Sequence, residues 1–520
     1  MTHSRRDFLC ATGAAAGALA LPTWMQHAQA EEEPPVDRAA IADAAMDAAR
    51  KAGASYADIR INRYRNEAIS TRERQVQNVS RNYSFGFGVR ALYKGAWGFA
   101  ASRIVTPQEA RRVTQQAVEI ARANAQFQPR PVRLAPAAKV VTSWRSAFEQ
   151  DPFDAPLDDK IQFLLKLNER ALSVKGVRFV NSQLSFVNEQ KYFASTDGSR
   201  IEQNIMRGWP TFTVTAVDQT KGDFQTRTSL PSGRAMGLEY LSKFPWLDEA
   251  EAAGHEAVEK LKAKTIASGK YDLVLAPSHL FLTIHESVGH STELDRALGW
   301  EADYAGTSFL TPDKTGKFQF GSKLVNFYAD RTEPTALATV GYDDEGVPGQ
   351  RWDIVKNGVF VDWQTTRELA PLIGRKTSYG CLHADSWDSV PFPRMPNVSL
   401  AAAKETVSMD DLIADVKDGL LMFGRGTYSI DQQRYNFQFG SQTCYEIKNG
   451  KRGAMVREAV YQSRTPDFWA ACDGLGGAST FELGGTFSDG KGQPGQVSAV
   501  SHGCPPARFR QINVLNTARE

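Results

Sequence analysis

Residues 285–290 read HESVGH, and the five-residue spacing of the two histidines constrains the local fold. A regular α-helix turns about 100° per residue, so side chains five residues apart point about 140° away from each other. The two imidazoles reach one point only if a π-turn adds a residue to the helix or if the helix ends near Gly289. Gly289 favours the second option, because glycine adopts backbone angles that other residues avoid.

The residue types in this segment are typical of a catalytic zinc site. The imidazoles of His285 and His290 are suitable zinc ligands, and Glu286 has the chemistry of a base that takes a proton from water. An apolar strand is predicted at residues 271–276, and Pro277 begins the helix that carries the segment. On spacing alone, two ordinary histidines near a helix end remain an alternative interpretation.

A catalytic zinc site with two histidines needs a further protein ligand. Residues 501–506, SHGCPP, stand out because they place two candidate ligands in a loop bounded by glycine and proline. A buried structural thiol is the alternative role of a cysteine there. The candidates that stay open on the residues alone are Glu293, Asp295, His383, Cys444, His502 and Cys504.

The predicted fold class is α+β, because helical and strand patterns alternate along a chain of 520 residues, which is too long for one compact core. The C-terminal region is rich in short strands, turns and glycine, and it is predicted to form a large antiparallel sheet or open barrel that carries the metal-site helix. The predicted units are an N-terminal α+β domain at 36–125, a proline-containing linker at 126–142, a second α+β domain at 143–267 and a β-rich catalytic domain at 268–520.

Local signals predict several element boundaries. Thr106 followed by Pro107 predicts a capped helix start. A turn is predicted near Gly208-Trp209-Pro210, and a helix over 248–267 is predicted to close at Gly269. The segment Asp343-Asp344-Glu345-Gly346 is favoured as a tight turn between strands.

The first thirty residues contain the three parts of an export signal in the usual order. SRRDFL at 4–9 is a twin-arginine pattern, residues 10–22 form a short apolar run, and AQA at 28–30 is a small-residue cleavage site. We therefore predict a twin-arginine signal over 1–30, a periplasmic location and no membrane association after signal removal. A disordered N-terminal tail is the alternative interpretation.

Charge and cysteine content exclude several classes of protein. A formal net charge of +2, without a polybasic run, argues against a nucleic-acid partner. Four cysteines remain after Cys10 leaves with the signal, which is too few for a disulfide scaffold in a chain of this length. The spacing does not identify a disulfide among Cys381, Cys444, Cys472 and Cys504.

Several motifs occur in a characteristic order. HExxxH follows an apolar strand, and DDEGVPGQ at 343–350, PRMPN at 393–397 and a cysteine near the C-terminus come after it. Together with ASYADIR at 54–60 and GAWGFAAS at 95–102, this ordered set resembles the TldD/PmbA family of metallopeptidases over nearly all of the chain after the signal. It is most similar to the TldD-type subunit, because the partner type lacks the metal motif.

The resemblance implies a Zn²⁺ ion bound by His285, His290 and Cys504. Glu286 would act as general base on zinc-bound water and then as acid toward the leaving amine. The resemblance also implies an extended, unfolded peptide substrate that pairs along a sheet edge inside a closed dimer. That dimer is expected to be a homodimer or a heterodimer with a PmbA-type subunit.

Two other functions stay open on the sequence. A non-catalytic peptide-binding subunit of such a complex is the first, although the intact histidines and Glu286 argue against it. A zinc hydrolase for non-peptide amides is the second, and it shares the same chemistry.

Arg394 has the planar group that binds a peptide carboxylate, but a structural ion pair is the favoured interpretation. The sequence does not identify the natural substrate or the substrate-binding residues. It also does not distinguish endopeptidase from exopeptidase cleavage.

Overall fold

The computed structural model describes residues 36–518, so the signal predicted at 1–30 lies outside the described residues. Within that range, no helix is both long enough and apolar enough to cross a membrane. The α-helices are α1 Arg38–Lys51, α2 Pro107–Asn124, α3 Leu157–Leu172, α4 Trp246–Lys262, α5 Pro277–Ile284, α6 Leu294–Ala297, α7 Met409–Ala414 and α8 Thr465–Ala470.

The N-terminal half forms one seven-stranded sheet with helices packed on it. Its strands are β1 Tyr56–Arg72, β2 Gln75–Tyr93, β3 Ala96–Ser102, β4 Val141–Arg145, β5 Val177–Ser195, β6 Arg200–Asp218 and β7 Asp223–Thr228. The order is β3-β2-β1-β5-β6-β4, with β7 also paired to β6. Neighbours are antiparallel except β4 and β6. Helices α1 and α2 share an apolar core with β1 and β2, and helices α3 and α4 share one with β5 and β6.

The first and second predicted α+β units are joined through their strands. Strand β1 pairs with β5 from Asp58 opposite Ser195 to Arg72 opposite Asn181. The sheet is therefore continuous across both units, and the chain between α2 and β4 connects two parts of one sheet.

Of the three local boundary predictions in this half, one is confirmed and two are wrong. Helix α2 begins at Pro107, and the Thr106 hydroxyl accepts the Glu109 N–H at 3.2 Å. No turn forms near Pro210, because β6 continues through it. Proline is tolerated there since β6 has no paired strand on its outer side at that point: β4 ends opposite Asn204, and β7 begins opposite Thr213. Helix α4 ends at Lys262, before the predicted end.

The C-terminal half contains the remaining strands. They are β8 Lys264–Thr265, β9 Gly269–Leu275, β10 Phe327–Asp330, β11 Arg351–Lys356, β12 Val359–Phe360, β13 Leu382–His383, β14 Phe392–Pro393, β15 Asn397–Leu400, β16 Asp418–Ile430, β17 Asn436–Lys448, β18 Lys451–Arg457, β19 Ala459–Arg464, β20 Cys472–Leu475, β21 Glu482–Lys491, β22 Gln496–Cys504 and β23 Ala507–Asn516.

Five of these strands close into a barrel. The ring runs β16-β9-β23-β19-β17 and returns to β16, because β16 also pairs with β17. Strands β9 and β16 are parallel, and the other pairs in the ring are antiparallel. The predicted C-terminal sheet or barrel is confirmed, and closure leaves no free edge within the ring.

Helix α5 follows β9 directly and is buried against the barrel and the hairpin of β21 and β22. Leu280, Phe281 and Ile284 belong to the largest apolar core of the molecule. The hairpin approaches so closely that a Cβ added at Gly484 would lie 2.2 Å from the Phe281 ring. The fold thereby holds the end of α5 against β21 and β22.

Candidate metal centre

The HESVGH segment contains a π-helical turn. Residues His285–Gly289 form this turn at the end of α5, and the His290 N–H donates to the His285 carbonyl, five residues earlier. The added residue brings the rings of His285 and His290 to a centroid distance of 4.6 Å. Of the two geometries that the spacing allowed, the structure has the π-turn.

Gly289 serves close packing rather than an unusual backbone angle. Its φ is −54°, which any residue adopts. A Cβ at this position would lie 2.4 Å from Met395 Sδ, which is closer than real Cβ contacts. The glycine therefore lets the π-turn pack against the segment that carries Met395.

The third member of the site is Asp489 on β21. Its Oδ1 lies 3.5 Å from His285 Nε2 and 3.4 Å from His290 Nε2. These three side chains form the candidate metal-binding group found among residues 36–518, and all three are buried. Asp489 projects where the hairpin register shifts between Thr486 and Asp489, so an irregular strand aims the carboxylate at the histidines.

The donor set and its spacing fit a metal ion. Ligand bonds of about 2.0–2.2 Å in a tetrahedron place neighbouring ligand atoms about 3.3–3.6 Å apart, which matches the two measured distances. Two imidazoles and one carboxylate are the donor set of many catalytic zinc sites. Such a set also leaves a fourth position for water or substrate.

A chain of hydrogen bonds fixes the protonation of His285. His502 Nδ1 lies 2.8 Å from the Val398 carbonyl, which only accepts, so that nitrogen carries a proton. The Nε2 of neutral His502 then accepts the Nδ1–H of His285 at 2.8 Å. Burial, together with the neighbouring His285, lowers the pKa of His502 well below its usual value and keeps it neutral. The lone pair of His285 Nε2 is left facing Asp489.

His290 is oriented by an acidic residue one turn later. Its Nδ1 donates to Glu293 Oε2 at 2.8 Å, which leaves the Nε2 lone pair for a metal. Arg296 Nη2 lies 3.1 Å from the same Nδ1, but the Glu293 carboxylate only accepts, so Nδ1 carries the proton. Lys491 Nζ donates to Glu293 Oε1 at 3.0 Å and holds the carboxylate in place.

Arg394 orients Asp489, as Glu293 orients His290. Its Nη2 donates to Asp489 Oδ2 at 2.8 Å, so Oδ1 is the oxygen that faces the histidines. Burial opposes the ionisation of Asp489, but Arg394 and the two histidines outweigh it and lower the pKa well below its usual value. The favoured interpretation of Arg394 as a member of a structural ion pair is confirmed.

Glu286 lies beside the metal group and forms an ion pair of its own. Arg434 Nη1 donates to Glu286 Oε2 at 3.1 Å, and Arg434 Nη2 donates to the Ala305 carbonyl at 3.1 Å. Arg434 belongs to the loop between β16 and β17 and has a φ of 64°, which is unusual for a residue with a side chain. This loop therefore fixes one carboxylate oxygen of Glu286.

The structure brings together His285, Glu286 and His290, but it places Cys504 elsewhere. Side chains two residues apart on a strand share a face and are separated by about 6.6 Å along it. His502 uses that face to reach His285, so Cys504 lies one repeat further on, with Sγ 3.9 Å from the Pro277 carbonyl. Burial raises the pKa of its thiol well above the usual value. All four described cysteines are free and buried.

The other candidates for the third ligand have different positions. His502 and Glu293 contact the two histidine ligands, and Asp295 pairs with Lys491 at 2.7 Å. His383 lies 3.6 Å from Asp344 in a separate cluster, and Cys444 lies in the wall of the large cavity described below. Asp489 was absent from the candidates, and its one local signal is the flanking sequence SDGKG, an acidic residue among glycines.

Replacing His502 by Phe is expected to weaken zinc binding by about 10–100-fold, because the Nδ1–H of His285 then loses its acceptor. The measurement is zinc affinity by competition with a chelating dye. His279→Phe is a matched control, since His279 is equally buried but bonds to the Gly424 carbonyl and Tyr461. Equal zinc affinity in His502→Phe and the native chain would contradict the role assigned to His502.

A large cavity of about 1230 Å³ lies between the N-terminal sheet and the C-terminal half. Its wall includes Phe281, one turn before His285, and Ser488, directly before Asp489. The three ligand side chains are not among the residues that line it. The cavity wall therefore reaches residues that adjoin the metal group.

The segment Asp343–Glu345 is a buried turn. Asp343 Oδ1 accepts the N–H groups of Glu345 and Val347 at 3.0 and 2.9 Å, so the favoured turn is confirmed. Burial raises the pKa of Asp343 to about 6, and burial with the nearby Asp343 raises the pKa of Glu345 to about 8. Asp344 instead pairs with Lys191 at 3.1 Å, which links this turn to β5.

Known sequences similar to this chain carry metalloprotease names. A metalloprotease of Methanocaldococcus jannaschii is 26% identical over 439 residues, which are 84% of this chain and 93% of that protein. A zinc metalloprotease TldD homolog of Saccharolobus solfataricus is 24% identical over 471 residues, which are 90% of this chain and 98% of the relative.

Solved structures share the fold. A putative modulator of a DNA gyrase from Thermotoga maritima has a TM-score of 0.72 at 16% identity and covers 91% of this chain and 99% of its own. TldE from Thermococcus kodakarensis has a TM-score of 0.71 at 15% identity, with coverages of 90% and 98%.

Family profiles match three successive segments. The PmbA/TldA metallopeptidase domain 1 matches residues 57–121, the central domain matches 150–265, and the C-terminal domain matches 268–516. The three segments follow one another in order and occupy most of the chain, and the C-terminal segment contains the complete metal group. This chain therefore belongs to the PmbA/TldA metallopeptidase family.

Proposed function

We propose that the chain is a zinc-dependent peptidase of TldD type that hydrolyses peptide bonds in extended, unfolded peptides. One observation carries the proposal: His285, His290 and Asp489 converge with metal-binding spacing, and Glu286 follows His285 in the same π-turn. The name of the zinc metalloprotease TldD homolog from Saccharolobus solfataricus supports zinc as the ion.

The residues of the chain have distinct tasks in this mechanism. His285, His290 and Asp489 would hold the zinc ion, which when bound would polarise the scissile carbonyl and lower the pKa of a water molecule. Glu286 takes the proton of the attacking water and then gives it to the leaving amine. Arg434 holds one oxygen of Glu286, so the other oxygen is available for the proton. His502, Glu293 and Arg394 keep the three ligand atoms aimed at one point.

The cavity supports an extended peptide as substrate. Its volume and its position between two β-rich halves suit a chain that binds through its backbone, whereas a folded protein does not fit. A homodimer, or a heterodimer with a PmbA-type subunit, is proposed to complete the chamber. The twin-arginine pattern at residues 4–9 remains the basis for proposing a periplasmic enzyme.

The direct test is metal content together with peptide cleavage. The purified chain is expected to hold one zinc ion, to cleave an unfolded peptide library, to lose cleavage on treatment with a chelator and to regain it with added zinc. Each assay is run with the chain alone and with a PmbA-type partner added.

The outcomes separate the alternatives. Cleavage only in the mixture would mean that this chain supplies the metal but not a complete chamber. A zinc-containing chain that binds peptides without cleaving them in either assay would favour the non-catalytic subunit. Hydrolysis of simple amides without peptide cleavage would favour the non-peptide hydrolase.

A further inference from the structure

A second, small cavity of about 20 Å³ lies beside the metal centre and contains an excess of positive charge. Its charged lining consists of one carboxylate, Glu189, and four cationic side chains from different parts of the fold: Lys191, Arg207, Arg331 and Arg394. All four cations are at most 5% exposed. His383 also lines the cavity, and burial beside Lys191 lowers its pKa to about 3, so it is neutral.

Three of the four cations have acidic partners. Lys191 pairs with Asp344 at 3.1 Å, Arg207 pairs with Glu189, and Arg394 pairs with Asp489 at 2.8 Å. Glu189, the carboxylate in the cavity wall, is therefore already paired, and so are Asp344 and Asp489.

Arg331 is the exception. In the part of the chain that the structure describes, no hydrogen bond or ion pair involves its guanidinium, and its Nε is buried without a partner. The charge of Arg331 opposes the rise in the pKa of Asp343, but no ion pair joins the two side chains. An uncompensated charge in the interior costs several kcal/mol, so this position calls for a counter-charge.

Arg394 lines the same cavity and also has an unpartnered donor. Its Nε donates to Ser498 and its Nη2 to Asp489, but its Nη1 is buried without a partner. Two guanidinium groups with unused donors thus line one cavity. A volume of about 20 Å³ exceeds the roughly 10–15 Å³ that a single water-sized particle needs.

We propose that the cavity between Arg331 and Arg394 binds a small monovalent anion of halide or carboxylate type. The anion neutralises Arg331 and accepts the free Nη1–H of Arg394. Because Arg394 also binds Asp489, the bound anion indirectly stabilises the position of this metal ligand. Glu189, Arg207 and His383 line both cavities, so the site adjoins the large cavity, and the proposed anion is either a free ion or the carboxylate of a molecule bound there.

The first test uses halides and does not depend on peptidase activity. Crystals soaked in bromide are expected to show an anomalous peak within hydrogen-bond distance of Arg331 and Arg394. Chloride is expected to raise the Tm of the native protein by about 1–3 °C relative to gluconate at equal ionic strength. Arg331→Met is expected to abolish this difference, whereas Arg351→Met, which removes an exposed arginine from β11, is expected to retain it.

The second test asks whether the anion belongs to the substrate, and this arm rests on the proposed peptidase function. Peptides with a free C-terminal carboxylate are compared with their amides, using KM and kcat separately. If the carboxylate occupies the site, Arg331→Met raises KM for the free acid by about 10–100-fold and leaves KM for the amide unchanged.

Each combination of results has one meaning. A bromide peak with a chloride-dependent Tm supports a free anion in the site. A KM effect confined to free carboxylates, without halide binding, supports the substrate as its source. Absence of the peak, of the Tm difference and of the KM effect would overturn the proposal and leave water as the occupant. An inactive protein that still binds bromide would refute the peptidase function but not the anion site.

Discussion

Glu286→Gln is expected to lower kcat for peptide cleavage by about 10²–10⁴-fold while the protein keeps its zinc. Glutamine has the shape of glutamate and still accepts the Arg434 hydrogen bond through its amide oxygen, so the packing of the π-turn is preserved. What it loses is the ability to take a proton from the attacking water. KM should change little, because Glu286 acts on water rather than on the bound peptide.

The measurements are steady-state kinetics and zinc content on the same preparation. Glu251→Gln is a suitable control, because this glutamate on α4 pairs with Arg170 at the protein surface and lies outside the metal centre. If Glu286→Gln cleaves peptides at the native rate, the proposed role of Glu286 is wrong.

Asp489→Ala is expected to lose zinc, and Cys504→Ser is expected to retain it. The alanine variant removes one of three protein ligands and leaves Arg394 as an unpaired buried charge. Its zinc affinity should therefore fall by more than the roughly 10–100-fold that the loss of a residue supporting the ligands costs. The serine variant changes a side chain that faces the start of α5 rather than the two histidines.

Zinc is measured after dialysis, and circular dichroism establishes that both variants are folded. Asp489→Asn separates the two effects of the alanine change, since asparagine still accepts from Arg394 but lacks the negative charge. Retention of zinc by Asp489→Ala together with its loss from Cys504→Ser would reverse the assignment and restore the ligand set implied by the family resemblance.

The part of the metal site that the sequence predicts is the part made by neighbouring residues. His285, Glu286 and His290 lie within six residues, and their spacing required a break in regular helix geometry. Asp489 lies about 200 residues downstream on another element, and its position depends on the register of one hairpin. No periodicity encodes that register, so nothing in the sequence placed Asp489 on β21 beside the two histidines.

The fold shows the same difference between features encoded by neighbouring residues and features that depend on distant ones. Caps and alternation predict single elements such as α2, whose Thr106 cap is observed. Pairings between distant strands leave no local signal, so neither the barrel closure between β16 and β17 nor the continuous N-terminal sheet was predicted. The prediction near Pro210 failed in the opposite way. The sequence has a local turn signal there, but β6 continues through it because its outer side has no paired strand at that point.

The pairing of β1 with β5 affects how the protein is made. Their paired residues are separated by about 110–140 positions along the chain. At a synthesis rate of about 5–20 residues per second, one edge of β1 stays unpaired for about 5–30 s after the strand has been made. The first family segment therefore leaves this edge of β1 unpaired when it is made alone. Until the central segment emerges from the ribosome, the nascent chain presents a long open strand edge to which other polypeptides can add.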